Sequence, residues 1–233
     1  MAESHKQKKR KDDFLMQGAI LAIAGVITKI IGVVYRIPLT NILGDEGMGF
    51  YGYAFEVYAL ALLLSSLSLP TVVSKLVSAR MAMRQRRNAF RVFVCSLVFS
   101  IVIGAVFALI IFFGADLISS HIMESPLSAY ALKVLAPGLF IVSVLGVLRG
   151  YFQGLGTMVP TAVSQVIEQI VNAVISLAGA SILFGIGIKA AEKQNNDLMG
   201  PAYGAAGGTL GTIAGALSAL FFLLFAFFVY RGV

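Results

Sequence analysis

The sequence predicts an all-α integral membrane protein, with six transmembrane helices in one lobe and both termini cytoplasmic. Three observations lead there. Of 233 residues, 58% are hydrophobic and only 12% charged, about half the charge of an ordinary soluble domain, and the mean hydropathy is +0.89. Apolar stretches recur at about 14–43, 48–73, 91–114, 128–148, 160–188 and 204–230, each long enough for a bilayer crossing of about 20 residues. Lysine and arginine are shared unevenly between alternate connections, as orientation in a membrane demands. A water-soluble globule is excluded.

Residues 1–13 form a basic tail carrying Lys6, Lys8, Lys9, Arg10 and Lys11. The apolar run from Phe14 to about Leu43 is too long for a signal-peptide core and lacks a small-residue cleavage pattern, so it is the first span of a lobe covering 14–233. The second span opens on Gly47-Met48-Gly49-Phe50-Tyr51-Gly52, which matches G-x-G-x-x-G but follows no strand and has no acidic partner, so dinucleotide binding is set aside. Pro38 and Pro70 near span ends and Pro137 inside the fourth span are expected to bend or end helices. The sixth span carries Gly207-x3-Gly211-x3-Gly215, three glycines on one face for close helix approach.

With the amino terminus inside, thirteen of the eighteen basic residues lie on the cytoplasmic side: five in the tail, then Lys75, Arg80, Arg84, Arg86, Arg87, Arg91, Arg149 and Arg231. Lys133, Lys189 and Lys193 lie outside, with Asp45, Glu46, Asp116, Glu124, Glu192 and Asp197. The net charge of +7 is thus explained by topology and contact with anionic membrane lipids, not by nucleic acid. Cys95 alone makes neither a disulfide nor a thiolate metal cage, and His5 and His121 stand far apart without zinc-site spacing. No Walker A motif, nucleophile elbow or catalytic carboxylate pair is present, so neither an enzyme nor a bound cofactor is expected.

Four charged residues remain inside the spans: Lys29, Arg36, Glu56 and Glu168. A charge at the bilayer centre costs about 2.5–3.5 kcal/mol on insertion scales, so such groups face a bundle interior or a watery cavity. At 1.5 Å per residue Lys29 lies about 18 Å and Arg36 about 8 Å inside the first span, with Glu56 at an intermediate depth in the second. A Glu56 ion pair with Arg36 or Lys29 would lock those spans together, whereas Lys29 near mid-depth points to a substrate or ion pathway. Thr161, Gln165, Glu168, Gln169, Asn172 and Ser176 recur every three to four residues and form one polar stripe on the fifth span. The stripe is expected to line a hydrated cavity, although helix-to-helix hydrogen bonding also accounts for Asn172 and Ser176.

Some runs are recognisable. Thr28-Lys29-Ile30-Ile31-Gly32-Val33-Val34-Tyr35-Arg36-Ile37-Pro38-Leu39, Leu43-Gly44-Asp45-Glu46-Gly47-Met48-Gly49-Phe50-Tyr51 and Leu69-Pro70-Thr71-Val72-Val73-Ser74-Lys75-Leu76-Val77 resemble the start of the multidrug/oligosaccharidyl-lipid/polysaccharide exporter superfamily. The stretch from Leu148-Arg149-Gly150-Tyr151-Phe152-Gln153-Gly154 through Val159-Pro160-Thr161 to Gln165-Val166-Ile167-Glu168-Gln169 resembles the connection between the fourth and fifth helices of Gram-positive oligosaccharide flippases of the stage V sporulation protein B and MurJ-like group.

The resemblance implies one lobe of a MATE-like fold in the bacterial cytoplasmic membrane. It also implies alternating-access movement of undecaprenyl-pyrophosphate-linked oligosaccharide, such as the peptidoglycan precursor lipid II. Lys29 and Arg36 match positions whose cations hold pyrophosphate in a central cavity, and Arg149 and Lys75 would stand at its cytoplasmic mouth. A coupling cation or the membrane potential would drive the cycle. Two departures accompany this: residues 57–73 lack an arginine found in some relatives, and the chain matches only the first of two six-helix lobes. A carboxyl-terminal lobe or a second copy would complete the cavity. Two other functions remain open, a cation-coupled multidrug exporter using Glu56 and Glu168, and a non-transporting scaffold for envelope synthesis.

Overall fold

A computed structural model of the chain describes the backbone of residues 2–66 and 68–231 and the side chains of 16–66, 68–193 and 195–230. The side chains of the basic tail lie outside the described residues. The structure is helical throughout: α1 (Ala2–Ser65), α2 (Leu69–Ala82), α3 (Arg86–Leu117), a π turn (Ile118–Ile122), α4 (Ser128–Gly154), α5 (Val159–Gln194) and α6 (Met199–Arg231). Five stretches among the described residues are long and apolar enough to cross a membrane, 16–82, 86–122, 128–154, 159–193 and 199–230. The predicted count was six; the first and second expected spans fall in a single stretch.

Gly44 divides that stretch within α1. Its φ of 65° and ψ of −176° lie in a region that only glycine occupies freely, and they break an otherwise continuous helix. A straight helix would hold residues 36 and 52 about 24 Å apart, yet Gly32, Tyr35, Arg36, Tyr51, Gly52 and Glu56 line one cavity. The two arms of α1 therefore lie side by side. The second arm ends at Ser65, and α2 starts anew with Pro70 in its first turn, where the missing amide hydrogen has no helical partner to lose. Pro38 and Pro137 are held inside α1 and α4.

The most enclosed helix is α4. In its most apolar window 67% of residues are buried, against 6–28% in the other four apolar stretches. One half of α4 supplies Leu132, Leu135 and Leu139 to a core shared with Leu39, Leu43 and Tyr51 of α1 and Ala202 and Ala205 of α6. Its other half joins Leu145, Leu148 and Phe152 to Val73 and Val77 of α2, Phe93 of α3 and Leu223 of α6. Glycines set the approach on both seams. A methyl at Gly150 would meet the Pro70 carbonyl oxygen at 2.6 Å, and one at Gly154 would meet Val77 Cβ at 2.6 Å. On α6, a methyl at Gly215 would stand 2.5 Å from the Glu168 carbonyl oxygen, and Gly207 lies directly on Gly179 of α5. The Gly146-x3-Gly150-x3-Gly154 face of α4 carries the same spacing as the predicted α6 face and was not singled out from sequence.

The outer surface is apolar: Val33, Ile37, Leu64, Phe113, Phe221, Phe225 and Phe228 are each more than 60% exposed. Such a surface is stable against lipid, not water. The acidic connections gather at one end, where Asp45, Glu46 and Glu124 line one cavity and Asp116 holds Lys133 at 2.7 Å.

Candidate functional site

The folding back of α1 at Gly44 creates the site. Gly32, Tyr35 and Arg36 of the first arm face Tyr51, Gly52, Phe55, Glu56 and Ala59 of the second across a cavity of about 470 Å³. Leu39 and Tyr51 are buried and fix the two arms against the core, and the Tyr51 and Phe55 rings, 4.5 Å between centroids, form one wall. Arg36 and Glu56 are exposed and line this one cavity, but among the described residues they make no ion pair within 4.0 Å. The expected pairing of Glu56 with Arg36 or Lys29 is thus not formed. The arms are held by apolar packing, which leaves the charges available.

Lys29 precedes Arg36 by seven residues, two helical turns or about 10.5 Å along the same face, and is likewise exposed. Between them a methyl placed at Gly32 would lie 3.3 Å from Gln169 Nε2, so this part of the α5 stripe borders the cation face. Gln165 and Gln169 are half-buried.

The rest of the stripe is consumed by neighbouring helices. Arg149 of α4 donates from Nη2 to Glu168 Oε2 at 2.6 Å and from Nε to Ser164 Oγ at 3.1 Å, with the two ion-paired side chains 15% and 27% exposed. Thr161 Oγ1 donates to the Arg149 carbonyl oxygen at 3.5 Å. Ser176 Oγ lies 2.7 Å from the Gly208 carbonyl oxygen and 2.9 Å from Asn172 Oδ1, and Asn172 packs on Gly211 and Gly215 of α6. Asn172 and Ser176 therefore serve helix contact, the alternative that the sequence left open. Arg149, expected at a headgroup mouth, is instead tied to Glu168. Both flank the short 155–158 connection, so opposite charges on either side of a tight helix turn were the available sequence signal. Lys75 stands exposed on α2, away from the α1 cavity, with Ser78 Oγ donating to its carbonyl oxygen at 3.0 Å. No group of three or more metal-ligating side chains occurs among the described residues.

A model of the polysaccharide biosynthesis protein family matches residues 14–229. The chain belongs to this family. Similar members include stage V sporulation protein B of Bacillus subtilis, 32% identical over 93% of this chain and 39% of that protein. The uncharacterized membrane protein YabM of the same organism is also 32% identical, over 94% of this chain and 38% of its own length. Lipid II flippase MurJ of Bacillus subtilis is 26% identical over 74% of this chain and 33% of that protein. The chain thus spans less than two fifths of each of these family members. Among solved structures, an outward-facing multidrug resistance MATE family transporter of the MOP superfamily superposes with a TM-score of 0.74 at 20% identity, covering 95% of this chain and 46% of that one. A MATE structure in the bent conformation gives 0.72 at 19% identity, covering 96% and 46%. The fold is therefore that of about half of a MOP-superfamily transporter, and a chain of this family with this surface is a multi-pass protein of the cytoplasmic membrane.

Proposed function

We propose that this chain is one lobe of a flippase that carries a polyprenyl-pyrophosphate-linked oligosaccharide, of the lipid II class, across the cytoplasmic membrane by alternating access. One observation carries the reading: Lys29 and Arg36 lie on one face of α1, at bilayer depth, with no carboxylate paired to either among the described residues. An unpaired cation within a membrane span is costly, and a pyrophosphate entering beside it lowers that cost through charge-assisted hydrogen bonds. Glu56, across the same cavity, would release Arg36 or hold it as the substrate comes and goes.

In this reading the reversal at Gly44 makes α1 cross twice, giving six crossings with both ends cytoplasmic, as the distribution of lysine and arginine favours. The open α1 face meets a second lobe, supplied by the remainder of a two-lobe protein or by a second copy of the chain. Gln165 and Gln169 extend the polar wall toward the sugar. The cycle draws on a coupling cation or the membrane potential and uses no bound cofactor; it moves its substrate without covalent chemistry. Lys75 is assigned to membrane-lipid contact and Arg149 to structural pairing.

The test is outer-leaflet precursor in cells that depend on this protein, with Lys29→Ala and Arg36→Ala combined and membrane levels matched. The expected result is loss of the outer-leaflet pool. An undiminished pool would overturn the reading.

A further inference from the structure

At the corner between α2 and α3, a second basic site lies apart from the α1 cavity and shares no residue with it. Leu76, Arg80, Asn88, Arg91, Val92, Cys95 and Ser96 line an open cavity of about 490 Å³. Its polar rim and apolar floor follow from helix periodicity. Arg80 and Arg91 flank the turn between the helices, Leu76 lies one turn below Arg80, and Cys95 lies one turn below Arg91. Gln85 braces the rim: its Oε1 accepts from Arg80 Nη1 at 3.4 Å and from Asn88 Nδ2 at 3.1 Å. That acceptor is neutral, so the guanidinium charge is oriented but not cancelled.

The surrounding sequence provides no counter-charge. Between Glu56 and Asp116 there is no Asp or Glu, while Lys75, Arg80, Arg84, Arg86, Arg87 and Arg91 all fall within that interval. Among the described residues neither Arg80 nor Arg91 makes an ion pair within 4.0 Å. Two guanidiniums and an Asn amide lining one cavity, with Arg80 oriented by Gln85, match a phosphodiester, which accepts bidentate hydrogen bonds from arginine. The apolar floor of Leu76, Val92 and Cys95 matches the first carbons of an acyl chain descending between the helices. A free phosphate would leave that floor uncovered, and a zwitterionic headgroup would leave the net charge uncompensated.

We propose that the α2–α3 corner, through Arg80, Asn88 and Arg91, is a binding site for an anionic phospholipid headgroup, occupied by a resident membrane lipid and not by the transported one. The assignment needs only that this corner lies at a membrane interface, so it stands or falls independently of the transport reading.

The experiment is native mass spectrometry of the detergent-solubilised protein titrated with phosphatidylglycerol, phosphatidylcholine or inorganic phosphate. Phosphatidylglycerol is expected to give a discrete one-lipid adduct. Arg80→Ala with Arg91→Ala should weaken it roughly 30-fold, from about fivefold per interfacial cation. Arg86→Ala with Arg87→Ala, the same change in net charge outside the cavity, should leave it within about twofold. Equal adducts in parent and Arg80→Ala/Arg91→Ala protein, equal uptake of phosphatidylcholine, or displacement of the lipid by inorganic phosphate would each overturn the proposal.

Cys95 gives a second readout that does not rely on gas-phase survival. Its thiol is exposed on the cavity floor and is the sole cysteine of the chain. Phosphatidylglycerol in mixed micelles should slow maleimide labelling of Cys95 in the parent and in Arg80→Lys/Arg91→Lys protein. It should not slow labelling in the Arg80→Ala/Arg91→Ala protein. Protection unchanged by the alanine pair would overturn the site.

Discussion

The α5–α6 seam and the α1 cavity both hold polar groups within long apolar helices and treat them in opposite ways. In the seam, Ser176 reaches the Gly208 carbonyl oxygen at 2.7 Å, and glycines at 207, 211 and 215 bring the two backbones into contact. In the cavity, Lys29, Arg36 and Glu56 are exposed and no ion pair is formed among them. The Arg149–Glu168 pair stands between these extremes, charged but internally satisfied. A polar residue in a membrane helix therefore has two meanings, and its partners separate them: groups satisfied by a neighbouring helix hold the lobe together, and groups left open are kept for something that binds.

Substitution in the seam breaks this contrast most severely. A Cβ at Gly211 would fall onto Ser176 Oγ and the Asn172 carbonyl oxygen, and neither belongs to a long, yielding side chain. Gly211→Leu is expected to destabilise the lobe by about 3 kcal/mol or more through overpacking, which at about 2–4 °C per kcal/mol is a melting-point loss of roughly 6–12 °C. Thermal unfolding in detergent measures it. An unchanged melting point would mean that the helices do not meet at this face.

Arg149→Ala comes next. It strands the Glu168 carboxylate in a site where the partner side chains are 15% and 27% exposed. Fully buried pairs lose about 3–5 kcal/mol when one member is removed, and partial exposure reduces the expectation here to about 1–3 kcal/mol. Adding Glu168→Gln should restore part of the loss, because the remaining neutral amide no longer requires a cation. A double variant no more stable than Arg149→Ala alone would show that the pair contributes nothing through its charge.

How much of this was legible from sequence follows the same division. The helical membrane fold was readable because a bilayer demands long apolar runs, and the α6 glycine face because close approach requires a fixed spacing. The break between the first two spans was readable too, at residues 43–48, but the sharp reversal there was not, since it depends on the conformation of one glycine at residue 44, which hydropathy does not record. Lys29 and Arg36 were recognisable as charges in an apolar run. The destination of Glu168 was not, because it depends on the height of Arg149 across the α4–α5 connection, a relation that helical period within one span cannot express. The α4 glycines escaped notice for a simpler reason: Gly146, Gly150 and Gly154 straddle the predicted end of the fourth span, while the helix continues to Gly154.

A smaller effect sharpens the seam itself. Ser176→Ala removes one hydrogen bond to the Gly208 carbonyl oxygen and keeps the small side chain that the packing needs. Interhelical hydrogen bonds in membranes average about 0.6 kcal/mol, so the melting point should fall by only about 1–2 °C. A loss as large as that for Gly211→Leu would move the weight of the seam from backbone packing to the hydroxyl.

The smallest expected effect on stability lies in the cavity. Lys29→Ala with Arg36→Ala breaks no ion pair among the described residues and opens no packed core, since both side chains are exposed on the open face. The melting point should stay within about 1 °C of the parent or rise slightly, because two charges are removed from membrane depth. Charge-assisted contacts of about 1.5–3 kcal/mol each should vanish from substrate binding in the same protein, so transport should fall by about tenfold or more. Loss of stability together with transport would place these cations among the residues that build the lobe. Intact stability with transport lost places them where the geometry does, on the face that the fold leaves open for a ligand.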